Sequence, residues 1–146
     1  MKLGTVTMFV AIATAVMITA AFASPEKGLE IAIEADSRDK GFGDSTAQIT
    51  MILMDKYGQS TERTIRNRTF EGYNEGDKSL VIFDSPGDVR GTAFLSHTKK
   101  ADSDDQWLYL PALKRVKRIA SSNKAGPFMG SEFSYEDIAS QEVEKY

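Results

Sequence analysis

At Ala47 a run begins in which apolar residues recur at every second position. The alternation is clearest over 47–53, where the odd-numbered residues are all apolar and the even-numbered ones are mixed. A period of two is typical of β-strands with one buried face. Further strand-like runs follow at short spacing, separated by residues that favour turns: 60–70, 79–83, 91–97, 106–110 and 113–120. The pattern predicts a sheet of about six antiparallel strands.

One helix is predicted ahead of the sheet, over about Pro25–Arg38. It begins with a candidate N-cap, Ser24, followed by proline at the first helical position. The apolar residues that share one face of this helix are Leu29, Ala32 and Ile33. An antiparallel sheet of this length curls, and a helix on its concave side would bury one of its faces. The predicted fold is therefore α+β, a curved antiparallel sheet with an N-terminal amphipathic helix packed on its concave side.

The first 23 residues have the features of an export signal. Lys2 supplies a short positive region, Val6–Phe22 is uncharged and mostly apolar, and Ala21-Phe22-Ala23 is an A-x-A cleavage site. An uncleaved transmembrane anchor is the alternative, because the apolar stretch is nearly long enough to span a bilayer. We expect cleavage after Ala23, which leaves one domain over 24–146 in an exported protein.

The residue inventory excludes most catalytic and metal chemistry. The chain has no Cys and a single His, His97. Thiolate metal sites, disulfides and a cysteine nucleophile are thereby excluded, and a multi-histidine metal site has too few ligands. The stretch 130–133 (GSEF) lacks the second glycine of a serine nucleophile elbow. We predict no catalytic residue, no metal site and no cofactor, and hence a protein that is not an enzyme.

Other short motifs are equally uninformative about ligands. The acidic stretch 102–105 lacks the glycine and distal glutamate of an EF-hand loop. Gly41-Phe42-Gly43 has no strand before it and is not expected to cradle a phosphate. The formal net charge of −3 gives no general reason to bind nucleic acid.

The densest basic cluster in the chain lies on a predicted strand. It consists of Lys114, Arg115, Lys117 and Arg118. Two interpretations stay open for this cluster. It is either a solvated strand face or a contact surface for anionic lipid headgroups or an acidic partner.

Aromatic and other apolar side chains gather in the last third of the chain. They include Trp107, Tyr109, Phe128, Met129 and Phe133, with glycines at 126 and 130 that bend the backbone. Apolar side chains on an irregular segment must cover the core, a cavity or a partner. The segment is therefore either a plug at the open edge of the sheet or a lid over an apolar pocket.

Three stretches of the sequence are similar to a known family. They are 105–119 (DQWLYLPALKRVKRI), 126–138 (GPFMGSEFSYEDI) and 86–95 (PGDVRGTAFL). In these stretches the chain resembles the outer-membrane lipoprotein-sorting proteins of the LolA-like superfamily. The resemblance implies an incomplete antiparallel half-barrel in which helices close an apolar cavity. Members of the family continue further, so it also implies that this chain is truncated at its C-terminus relative to them.

The resemblance also implies a function without chemistry. We expect a monomeric periplasmic carrier that binds the acyl chains of a lipoprotein or lipid non-covalently, for transfer toward the outer membrane. An inner-membrane transporter or an outer-membrane acceptor would be its partner. The alternative is a non-enzymatic accessory subunit that docks on an efflux-type transporter through the same apolar segment.

The residues expected to serve the carrier fall into three groups. Ile49, Met51 and Leu53 would line the inner face, opposite Trp107 and Tyr109. Phe128, Met129 and Phe133 would form the lid, while Lys114, Arg115, Lys117 and Arg118 would contact headgroups or a partner. The assignment of these strand residues to the cavity lining depends on the alternation of side chains along each strand. A shift of one residue in that alternation would place them on the opposite face.

Overall fold

The computed structural model describes residues 24–140 and 142–143. The predicted signal peptide, 1–23, lies outside these residues. One helix precedes six strands: α1 (Pro25–Asp39), β1 (Asp44–Met54), β2 (Ser60–Phe70), β3 (Lys78–Ser85), β4 (Ala93–His97), β5 (Asp105–Leu110) and β6 (Arg115–Ile119). Short 3₁₀ turns cover Pro111–Leu113, Ser121–Asn123 and Phe128–Gly130. The strands form one antiparallel sheet in chain order, β1 to β6, which is curved and not closed.

Helix α1 begins as its sequence predicts. The side chain of Ser24 accepts a hydrogen bond from the Lys27 backbone N–H at 3.2 Å, and proline occupies the first turn. Within the described part of the chain, no helix is both long and apolar enough to cross a membrane.

The predicted packing of α1 on the concave side of the sheet is not what the structure has. No residue of α1 is buried, and its large apolar side chains, Leu29, Ile31 and Ile33, are exposed. The buried face of the sheet is covered by a segment that follows β6, described below. Leu29, Ile31 and Ile33 keep about half or more of their surface exposed.

The two faces of the sheet differ in burial, and the strand register identifies them. On one face, which we call the core face, Ile49 pairs with Ile65, and Ile65 pairs with Phe83. A second row on the same face joins Val81, Phe94 and Leu108. These rows contribute most of the buried apolar cluster, so the core lies against this face. The opposite face is called the outer face below.

A segment after β6 covers the core face, and we call residues 126–138 the plug. Phe128 is only 1% exposed and joins the buried cluster, with Met129, Tyr135 and Ile138 packed against it. Its ring centroid lies 5.3 Å from that of Phe94 and 5.9 Å from that of Phe83. Edge-to-face and tilted contacts at these distances add to the burial of the rings. The plug therefore completes the core.

A buried carboxylate joins the connection between α1 and β1 to the end of β2. Glu71 accepts hydrogen bonds from the backbone N–H groups of Gly41 and Gly43, at 2.6 and 2.7 Å. Both glycines have positive φ, of 91° and 72°, which other residues rarely adopt. The N–H groups that a phosphate cradle would offer are thus already bonded to a protein side chain.

We expect Glu71→Gln to destabilise the protein at neutral pH and to matter less in acid. The bonds from Gly41 and Gly43 lower the pKa of the Glu71 carboxyl below its usual value of 4.5. Because folding lowers this pKa, the carboxylate stabilises the fold above pH 4.5 and loses that contribution as the pH falls through the lowered value. Urea unfolding at neutral pH and in acid measures the change.

The matched control for this experiment is Glu75→Gln. Glu75 lies in the same loop, is exposed and makes no hydrogen bond with any described residue. An equal loss of stability in the two variants, or a loss for Glu71→Gln that does not shrink in acid, would contradict the role given to the Glu71 carboxylate.

Candidate functional site

An apolar strip runs along β1 on the core face, beside the plug. Strand alternation places Ile49, Met51 and Leu53 together on this face. Met51 and Leu53 are half-buried, and Met51 packs against the core, whereas Ile49 is still 43% exposed. The strip is therefore an apolar part of the core face that the plug leaves accessible.

The three residues expected to form a lid have different environments within the plug. Phe128 is fully inserted in the core, Met129 is half-buried, and Phe133 is 54% exposed. Met129 has a positive φ of 51°, an unusual backbone conformation for a residue with a side chain. It follows that Phe128 is part of the core, while Met129 and Phe133 lie at the surface of the plug.

Arg63, on β2, links the accessible strip to the plug. Its Nη1 donates a hydrogen bond to the Met129 carbonyl at 2.7 Å, and its guanidinium lies 5.9 Å from the centre of the Phe83 ring. Sequence reasoning did not single out this residue. The available signal was its position two residues before Ile65 in a strand, which puts the arginine on the buried face.

Polar contacts also hold the far end of the plug. Gln106, which is fully buried, donates from Nε2 to the Tyr135 carbonyl at 3.0 Å. The buried hydroxyl of Ser131 donates to the Phe128 carbonyl at 2.8 Å. The Phe128 N–H in turn bonds to the Phe133 carbonyl at 2.6 Å, which closes a small loop. Burial raises the pKa of the Tyr135 phenol.

Part of the core face is polar. Ser79, Ser96 and Gln106 form one row across β3, β4 and β5, and all three are buried. Among the described residues, the two hydroxyl oxygens and Gln106 Oε1 find no hydrogen-bond partner. Buried polar atoms of this kind commonly bind ordered water. On β6 the same row continues with the buried apolar side chain of Ile119, so the polar part of the core face is limited to β3, β4 and β5.

Trp107 and Tyr109 do not line the core face, and this corrects the expectation that they lie opposite Ile49 in one cavity. Their neighbours Gln106 and Leu108 are buried on the core face, so both aromatic side chains project from the outer face. The stretch 106–110 has apolar residues on both faces of its strand, and alternation alone does not say which set is buried. The eight predicted lining residues therefore fall on two sides of the sheet.

The basic cluster is likewise divided. Lys114 precedes β6 in a left-handed turn with φ 47°, so it is not part of the predicted strand. Arg115 and Lys117 pair with core-face residues of β5, whereas Arg118 lies on the outer face and forms an ion pair with Asp105. No described residue forms an ion pair with Lys114, Arg115 or Lys117. Three exposed cations are thus available to a partner.

The structure has no cluster of three or more potential metal ligands among the described residues. His97 lies edge-to-face on Trp107, with ring centroids 5.1 Å apart. What the geometry offers instead is an apolar strip, a plug bonded to the sheet, and exposed charged and aromatic surface.

Comparisons with known proteins agree with the resemblance found in the sequence. A domain from Vibrio parahaemolyticus, provisionally named as an outer membrane lipoprotein-sorting protein domain, is 60% identical, with a TM-score of 0.79 over 83% of this chain and 51% of its own. A DUF1329 family protein from Desulfovibrio piger is 32% identical, with a TM-score of 0.74 over 82% of this chain and 51% of its own.

A family model described as an uncharacterized protein matches residues 75–146. No curated protein matches the chain. The chain spans about half of the length of the two solved structures that it resembles. At this level of identity and structural similarity, the chain belongs to the outer membrane lipoprotein-sorting proteins with a LolA-like fold.

Proposed function

We propose that this protein is a non-enzymatic carrier of the periplasm that binds the acyl chains of a lipoprotein or lipid for transfer toward the outer membrane. The name of the Vibrio relative supports a role in lipoprotein sorting. The observation that carries the proposal is the accessible apolar strip of Ile49, Met51 and Leu53, which continues the core face beyond the plug.

An acyl chain lying along this strip would be covered by the plug on its other side. Met51 and Met129 give the strip unbranched side chains that adapt to a cargo of variable shape. Each methylene removed from water would contribute about 0.8 kcal/mol. Since Phe128 already fills the interior, a longer chain enters only where the Met129 side of the plug moves, and the Arg63 bond to Met129 opposes that movement.

The transfer step requires contact with a donor or acceptor, and the exposed cations Lys114, Arg115 and Lys117 are suited to it. They favour anionic headgroups or an acidic protein surface, such as that of an inner-membrane transporter or an outer-membrane acceptor. The same observation supports the second candidate, an accessory subunit that docks on an efflux-type transporter. We propose that the carrier acts as a monomer.

We expect Ile49→Glu to weaken binding of a fluorescent fatty acid, and of a diacylated peptide, by about tenfold or more. The substitution puts a carboxylate in the path of the acyl chain, where the charge would be desolvated. Fluorescence titration measures both dissociation constants.

Ile52→Glu is the matched control, because Ile52 lies three residues along the same strand, on the outer face, and is 60% exposed. Equal binding by the two variants would contradict the proposed site. A parent chain that binds neither probe would contradict the carrier and favour the docking subunit.

A further inference from the structure

Seven apolar side chains form a continuous patch on the outer face, which we call the outer patch. One row joins Leu80, Leu95 and Trp107 across three strands. The next row joins Ile82, Ala93, Tyr109 and Val116 across four. Residues paired across a sheet lie side by side, and residues two apart on a strand share a face, so the two rows are neighbours on the outer face.

No member of the outer patch is buried, and the described elements leave it open. Tyr109 and Val116 are exposed, and the other five side chains are half-buried by their neighbours in the sheet. Contiguous exposed apolar surface commonly marks a site of interaction with a protein, a membrane or a ligand. The patch is separate from the acyl-chain site, because the two lie on opposite faces of the sheet.

The charges around the outer patch are mainly positive, although the whole chain has a net charge of −3. Two carboxylates at its border are already neutralised: Asp84 by Arg66, and Asp105 by Lys99 and Arg118. The two cations hold the pKa of Asp105 at about 2, so this carboxylate stays ionised and paired at physiological pH.

Two further cations at the border have no such partner. Arg68 and Lys78 form no ion pair with any described residue. Both line a depression of about 320 Å³ that reaches Leu80 and Leu95 of the outer patch and also includes Asp44. Unpaired cations beside apolar side chains suit a ligand that is both apolar and anionic.

We propose that the outer patch is a docking surface for an anionic lipid bilayer. Trp107 and Tyr109 are residue types that favour the boundary between hydrocarbon and headgroups, since each has an apolar body and a polar group. Arg68 and Lys78 would bind the lipid phosphates at the depression. Their positive charges are complementary to the negative charge of the bilayer surface. The proposal does not depend on acyl-chain carriage, because the carrier site lies on the other face.

The position of Trp107 makes the proposal directly measurable, since this is the only tryptophan in the chain. The protein is mixed with phosphatidylcholine vesicles that either contain or lack about one third phosphatidylglycerol. We expect a blue shift of Trp107 emission, and quenching by brominated lipid, only with the anionic vesicles. An unchanged emission, or an equal response to neutral vesicles, would overturn the proposal.

Two variants locate the binding surface. Val116→Glu, at a side chain that is 65% exposed, is expected to weaken vesicle binding about tenfold. Combining Arg68→Gln with Lys78→Gln should weaken it about twenty-five-fold, since each cation near an anionic surface is worth about fivefold. All variants share one N-terminus, so the apolar residues 6–22 contribute equally to each.

Two control variants distinguish binding at the outer patch from binding at another surface or at the acyl-chain site. Ile52→Glu should keep vesicle binding, and Ile49→Glu should keep it even where acyl-chain binding is lost. Equal losses in Val116→Glu and Ile52→Glu would overturn the assignment to the outer patch. A lipid-free dimer that Val116→Glu dissociates, in place of vesicle binding, would assign the patch to a second copy of the chain and also overturn the proposal.

Discussion

Replacing Phe128 with alanine is expected to lower the free energy of unfolding by about 3–5 kcal/mol. The ring is 1% exposed and touches Phe83, Phe94 and Tyr135, with ring centroids 5.3–5.9 Å apart. Truncation loses the transfer free energy of the ring and leaves a cavity that the sheet cannot close. Urea unfolding followed by Trp107 fluorescence measures the shift in midpoint.

Phe133→Ala is the control for this prediction. Phe133 belongs to the same plug but is 54% exposed, so its removal should change stability by no more than about 0.5 kcal/mol. If the two variants were equally stable, Phe128 would not be a core residue in solution, and the plug would be a loosely held lid. The comparison therefore decides between the two interpretations that the sequence left open for this segment.

A core role for Phe128 limits how a carrier could work. A movable cover that contributes several kcal/mol to folding cannot leave the sheet as a unit at low cost. The parts free to respond to cargo are Met129, Phe133 and the Arg63 contact, which lie at the margin of the plug. Mutations intended to test the binding site belong at that margin and on β1, because a change at Phe128 would confound binding with unfolding.

The elements of the fold could be predicted from sequence because each has a local signal. The N-cap at Ser24 and the proline that follows predicted a helix that begins at Pro25, and period-two alternation predicted the strands. The resemblance in 105–119 and 126–138 predicted the family. These features depend on residues close together in the chain, whose interactions a sequence displays directly.

The arrangement of the site could not be predicted in the same way. In 106–110 both faces of the strand are apolar, so the sequence does not say that Trp107 faces outward. For α1 the spacing of Leu29, Ala32 and Ile33 predicted a buried side, but no residue of the helix is buried, because an amphipathic pattern does not say what covers it. Arg63 was missed because an arginine in a Thr- and Arg-rich strand suggests solvent, whereas its contact is with a carbonyl 66 residues away.

Gly72→Ala is expected to destabilise the protein by about 1–3 kcal/mol or more, through a clash of backbone with backbone. A Cβ atom added at Gly72 would lie 1.9 Å from the Gly76 carbonyl oxygen, and no side-chain rotation relieves that contact. The loop must then open, which would strain the hydrogen bond from the Gly72 N–H to Asp77 and displace the adjacent Glu71. Urea unfolding again measures the loss.

The control for this prediction is Gly87→Ala, in the turn between β3 and β4. A Cβ atom there meets nothing within 4 Å, and the residue is outside the left-handed region. Alanine should leave stability unchanged or raise it by about 0.4–1 kcal/mol, by reducing the entropy of the unfolded chain. Equal stability of the two variants would mean that the backbone of the 71–77 loop rearranges at little cost to accommodate the added Cβ atom. The 1.9 Å approach to the Gly76 carbonyl oxygen would then not limit the side chain at position 72, which would contradict the prediction.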